Sequence, residues 1–236
     1  VLVAAAFVPS APVLVPELSG PGLPEVLPVR SAAVRVCRDL AETCSRWVLV
    51  GVGDPLRPVS SRGTFVGFGV DVEIGLTPDV DGPADTEMPT AVLLGGWLRG
   101  QTHPGATVTA ELVDPRATAV ACIRQGRELG SRLASTADPV GLLVVADGAT
   151  TLAAKAPGGL EAGAVDYQDQ IDTALGAADL AVLSGLDESR CAHLGVGGRA
   201  AWQVVVGVVG EAAVRPELRY AGAPFGVGYT VAWWGL

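Results

Sequence analysis

At 236 residues, 49% hydrophobic and only 17% charged, the chain is long enough for one large core and too apolar to be disordered. Its 31 glycines and 17 prolines imply many turns. A formal net charge of −9 and a pI near 4.7, without clustered cations, argue against nucleic acid or an anionic membrane surface as partners.

Residues 1–8 form a continuous apolar run, the pattern of a strand covered on both faces. The apolar N-terminus lacks a basic stretch and is cut by Pro9, Pro12 and Pro16, so it reads as strand and turn rather than a secretory leader. Residues 10–28 form a Pro-rich loop. Ala33, Cys37, Leu40 and Cys44 are spaced as one face of an amphipathic helix over 31–46, whose Arg30, Arg35, Arg38 and Arg46 read as its solvated side. A second buried strand spans 47–52 and ends at Gly53-Asp54-Pro55. One or two strands fall in 64–76, an acidic loop in 77–89, and a short helix in 90–99.

Residues 106–113 alternate as a strand, and Asp114-Pro115 opens a helix over 116–135. Residues 140–146 are the next buried strand, ended by Asp147-Gly148 and followed by a long loop over 149–165. Helices are expected over 166–176 and 180–186, and another after the glycine-rich 195–198. Two strands, 215–220 and 227–234, close the chain. Strands alternating with helices imply a single α/β domain over 1–236, a mostly parallel or mixed sheet with helices on both faces. In such sheets ligands lie beyond the carboxyl ends of the strands. That rule directs attention to Ser10, Gly53-Asp54 and the stretch from Asp147 to Thr151.

Familiar catalytic motifs are absent. The sole lysine, Lys155, lies in no P-loop, and neither Gly51-Val52-Gly53 nor Gly67-Phe68-Gly69 reaches the third glycine of a dinucleotide fingerprint. Cys37, Cys44, Cys122 and Cys191 show no CxxC pair and read as buried thiols. His103 and His193 read as surface or capping residues. Gly195–Gly198 before a helix reads as a connection, with an anion site on its free N–H groups as the alternative.

Several segments, in order, resemble the class III extradiol dioxygenases (the LigB/Memo-like superfamily). Phe7-Val8-Pro9-Ser10-Ala11-Pro12 is similar to the family's opening strand and Pro-His-Pro-Pro turn. Residues 47–52 resemble its second strand, and Asp147-Gly148-Ala149-Thr150-Thr151 its Gly-Asp-Leu-Ser-His stretch. Val165-Asp166-Tyr167, the glycine-rich start of the helix near Trp202, and Tyr220 to Tyr229 resemble its C-terminal third. Asp147-Gly148-Ala149 with Lys155-Ala156-Pro157-Gly158 looks like a bacterial branch of this superfamily that lacks the metal-ligand histidines.

The resemblance implies the family's fold and, commonly, a homodimer, to which Trp233-Trp234 could contribute. It also implies Fe(II) held by two His and one Glu, with a further His as acid–base. Here the matching positions carry Ser10, Gly53 or Asp54, and Thr150 or Thr151, which are poor iron ligands or none. The expectation is a metal-free pseudoenzyme, cytoplasmic, that binds an unidentified small molecule or protein in a pocket of Ser10, Gly53, Asp54, His103, Asp147, Thr150, Thr151 and Lys155, with no cofactor. Two alternatives stand beside it: a metal-independent enzyme using Asp147 and Lys155 as acid and base, or a divalent cation held by Asp54, His103 and Asp147.

Overall fold

Apolar runs with no polar face need cover on both sides, and six strands find it in one mixed sheet. In a computed structural model, which describes residues 1–20 and 22–236, these strands are β1 (Leu2–Val8), β2 (Arg46–Val52), β5 (Thr107–Val113), β6 (Val140–Val145), β7 (Arg215–Gly222) and β8 (Tyr229–Gly235). Their order is β5-β2-β6-β1-β8-β7. The first four are mutually parallel, and β8 and β7 are added antiparallel. Every residue of β6 is buried, as expected of a central parallel strand.

Strand alternation sorts the core into two layers. Ala4, Ala6, Val8, Leu49, Leu143, Val145, Tyr229 and Val231 face one side, where α2 (Leu27–Thr43) and α3 (Thr90–Thr102) cover them. Ala5, Phe7, Val48, Val50, Leu142, Val144, Ala232 and Trp234 face the other, under α4 (Ala119–Ala134), α5 (Ala164–Ala177) and α8 (Arg199–Val209). Short helices α6 (Leu180–Ser184) and α7 (Glu188–His193) lie between α5 and α8; α7 carries no apolar period that would announce it. Among the described residues, no helix is long and apolar enough to cross a membrane.

Four expectations need correction. The second helix begins at Leu27 rather than residue 31, because Pro28 sits in its first turn, where a missing N–H costs nothing. It ends at Thr43, so Cys44 caps the helix in extended conformation, although both Cys37 and Cys44 remain buried. The 64–76 segment is mostly not strand. A 3₁₀ turn at Phe65–Phe68 separates two three-residue strands, β3 (Arg62–Thr64) and β4 (Glu73–Gly75), which pair in a small sheet of their own.

Arg30 is not part of a solvated face. It is buried, and its guanidinium donates to Leu14 O at 2.7 Å, Val13 O at 3.3 Å, Ser19 Oγ at 2.6 Å and Gly20 O at 3.4 Å. It thus ties α2 to the Pro-rich segment, which itself holds a 3₁₀ turn (Pro12–Leu14) and a one-turn helix α1 (Pro16–Ser19). Arg30→Ala is expected to lower stability by about 1–2 kcal/mol, because the stranded carbonyls are partly rehydrated. The same change should raise amide exchange selectively over residues 13–20, measured by hydrogen–deuterium exchange.

The final tryptophans split across the sheet. Trp234 is fully buried, packs on Phe7 with ring centroids 4.5 Å apart and donates Nε1–H to Leu175 O at 2.7 Å. Trp233 faces the opposite layer and is partly buried.

Candidate functional site

The direction of the connections switches beside β6. The segments leaving β1 and β2 pass over the α2–α3 face, whereas the chain leaving β6 passes to the α5–α8 face. A crevice at the carboxyl end of a parallel sheet forms where neighbouring strands diverge in this way. Registers Val8↔Val145 and Gly51↔Val145 carry Ser10 and Gly53 to either side of Asp147. Register Phe7↔Ala232, continued outward, brings Tyr229 beside Ser10.

Asp147 is the centre of this end. Alternation from Val145 aims its side chain at the α2–α3 layer, the layer that holds Tyr229. Its Oδ1 accepts the Ser10 N–H at 2.8 Å, and among the described residues Oδ2 has no hydrogen-bond partner. Burial pushes the carboxyl up to about 7, and the Ser10 N–H opposes this only in part. Tyr229 is raised chiefly by burial and then by the Asp147 charge beside it. Asp147 also fixes its own loop, because its main-chain O accepts the Gly198 N–H at 2.7 Å.

The loop after Asp147 is held from behind by Gln168 of α5. Its Oε1 accepts Ala149 N–H at 2.8 Å and its Nε2 donates to Asp172 Oδ1 at 2.9 Å. Gly148 and Gly228 both press on this amide. A Cβ at either would lie 2.1 Å and 2.3 Å from its atoms, so a side chain at either position would push the Gln168 amide out of this hydrogen-bonded place. Gly148 N–H to Gly228 O and Gly228 N–H to Ala149 O, each 2.8 Å, stitch the loop to the start of β8.

The other expected site residues divide. Ser10 and Gly53 flank Asp147 as the registers require. Thr150 and Thr151 follow it, but the Thr151 hydroxyl is committed to Leu194 O at 2.8 Å. Asp54 is exposed at the same sheet end, where its Oδ1 accepts Leu56 N–H at 2.9 Å in a local turn. Lys155 is exposed and, among the described residues, forms no ion pair with Asp147.

His103 is misplaced by the whole length of the sheet. It caps α3 immediately before β5 begins, with its ring 6.4 Å from that of Trp47 at the start of β2. At roughly 3.3 Å per residue, the Trp47 and Val52 ends of β2 are roughly 17 Å apart. The trio Asp54, His103 and Asp147 therefore does not converge, and that alternative metal site is withdrawn. Among the described residues no group of three or more His, Cys, Asp or Glu is placed to hold a metal ion. His193 pairs with Glu161 at 3.5 Å on the surface.

No protein-family model matches this sequence, and no curated protein matches it. The crystal structure of an uncharacterised protein from Escherichia coli K12 is similar to it, with a TM-score of 0.53 at 12% identity, covering 99% of this chain and 100% of that one. That likeness shows the fold. It carries no activity across.

The glycine run before α8 is not a free anion cradle. Gly195, Val196 and Gly198 donate their N–H groups to Ala192 O, Cys191 O and Asp147 O. Gly195 instead has a positive φ of 66° and lies so close to Thr150 that a Cβ would sit 2.0 Å from its hydroxyl. Sequence reasoning missed Tyr229 and Gln168 as site residues. Tyr229 lay within the closing glycine-rich segment, which was a usable signal; nothing local marks Gln168.

Proposed function

We propose that this chain is a degenerate, metal-free relative of the class III extradiol dioxygenases of the LigB/Memo-like kind, acting as a binding or accessory protein through the crevice around Asp147. One observation carries the reading. A carboxylate sits at the switch point of the sheet with one oxygen held by Ser10 N–H and, among the described residues, no hydrogen-bond partner for the other and no cation paired with it. A strongly desolvated ionisable group at the ligand end of a parallel sheet is a candidate functional residue.

The donor set supports binding over ring cleavage. A ferrous centre of the family type needs imidazole and carboxylate ligands with open positions. At the matching positions stand Ser10, Gly53 and Thr150, with the Asp54 oxygen turned into its own loop and the Thr151 hydroxyl bonded to Leu194 O. His103 lies at the far end of β2, and His193, although it adjoins Leu194 beside Thr151, is exposed and paired with Glu161.

The reading has a direct test. Untagged protein produced with iron and manganese supplied should carry transition metal well below one equivalent by mass spectrometry. With catechol and added Fe(II) it should consume no oxygen above the free-iron control. Stoichiometric metal, or catechol-dependent oxygen uptake lost in Asp147→Asn, would overturn it.

A further inference from the structure

Beyond the Asp147 crevice, the other face of β8 carries a cavity of about 250 Å³, lined by Leu152, Val165, Gln168, Asp169, Asp172 and the Ala221–Ala223 backbone. Tyr229 and Thr230 are neighbours on β8 and point to opposite faces, so Tyr229 serves the Asp147 side and Thr230 the cavity side. The cavity's floor is built. Asp172 Oδ1 accepts from Gln168 Nε2 at 2.9 Å and also from Thr230 Oγ1. Gln168 is 4% exposed and is itself fixed by the Ala149 N–H, so the carboxylate is held in one orientation.

Two neutral donors on one oxygen orient the Asp172 carboxylate without neutralising it. Among the described residues its Oδ2 has no partner, and no Arg, Lys or His is ion-paired with Asp172 or with Asp169. Burial raises the Asp172 carboxyl, and the two hydrogen bonds counter that. Asp169 adds an exposed second carboxylate, and the other walls are apolar: Leu152 and Val165 on one side, Ala221, Gly222 and Ala223 on the other. Val165 is 49% exposed at the rim. A fixed, uncompensated carboxylate at the end of an apolar cavity is complementary to a cation that brings its own apolar body.

We propose that this cavity is a second binding site, for a small organic ammonium or guanidinium ion with an apolar tail. The charged head meets Asp172 Oδ2, and the tail lies against Leu152 and Val165. The site does not depend on the reading of the Asp147 crevice, because Asp172 lies on the opposite face and its ligand contacts none of Ser10, Asp147 or Tyr229.

The probe is hexylamine, with hexanol as its uncharged counterpart, titrated into the isotopically labelled chain and followed by amide shifts. Hexylamine is expected to shift Val165, Gln168, Asp169 and Ala223 saturably, while hexanol binds at least tenfold more weakly. Asp172→Asn keeps the acceptor for Gln168 and Thr230 and removes the charge, and should weaken hexylamine at least tenfold. Val165→Trp fills the rim without touching the hydrogen-bonded floor and should abolish the shifts in a protein that still unfolds cooperatively. Equal binding of amine and alcohol, unchanged affinity in Asp172→Asn, or shifts confined to residues outside the cavity would each overturn the proposal.

Discussion

Gly126→Ala is expected to lower the unfolding free energy by at least about 3 kcal/mol, the upper end of what inserting one methyl group into a packed core costs. Helices α4 and α8 cross where Gly126 faces Gly207. A Cβ on Gly126 would lie 2.0 Å from Val204 O and 2.9 Å from Gly207 Cα; one on Gly207 would lie 2.1 Å from Ile123 O. These neighbours are backbone, so no rotamer change relieves the overlap, and the helices must move apart. Separation would in turn lift Trp202, Val204 and Val205 from the strands beneath, all of them buried. The adjoining Gly130 meets Val208 O at 3.1 Å, so Gly130→Ala should cost less, because a shift of a few tenths of an ångström accommodates it. Urea unfolding of the two variants side by side measures the ranking. Equal, small losses would mean that the close crossing is not a stability determinant.

The legibility of this molecule in its sequence follows the range of the interactions involved. β1, β2 and β6 were readable because strands covered on both faces must be apolar throughout, and Val140–Val145 is. The start of α2 was not, because Pro28 is a breaker in mid-helix and a favoured residue in the first turn, and sequence does not say which. Arg30 read as solvated because charge usually is. Its acceptors include the carbonyls of residues 13, 14 and 20 and the Ser19 hydroxyl, whose convergence exists only after the Pro-rich segment has folded back.

The site shows the same division. Asp147 was readable because strand ends in a parallel sheet are where ligands bind. Its partners are not local: Ser10 is 137 residues away in sequence and Tyr229 lies 82 residues beyond. His103 was placed in the pocket on residue type alone, and only the order of β2 and β5 reveals that it caps the opposite end. Lys155 drew notice for being the sole lysine, but composition carries no information about direction, and the loop leaves it in solvent.

Asp147→Asn should stabilise the protein at pH 8 by about 3 kcal/mol and leave it nearly unchanged at pH 4. The native carboxyl is raised to about 7 by burial, against an ordinary value of about 3.9 in the unfolded chain. The folded state therefore binds more protons than the unfolded state between these values, and stability falls as pH rises from about 4 to about 7, then levels off. Three units correspond to a ceiling of ~4 kcal/mol, and the residual solvent contact of Asp147 brings the expectation below it. Asn retains the acceptor for Ser10 N–H and carries no charge, so it removes this slope and nothing else in the network. Taking the difference between wild type and variant at each pH cancels Asp172, whose raised carboxyl has the same sign. Urea titrations at several pH values give the result, and parallel wild-type and variant curves would show that Asp147 is not desolvated as its surroundings imply. A chain selected only to fold would gain by placing a neutral side chain at this position. A carboxylate without an ion-pair partner among the described residues, at the switch point and at a stability cost, is the feature on which the proposed binding role rests.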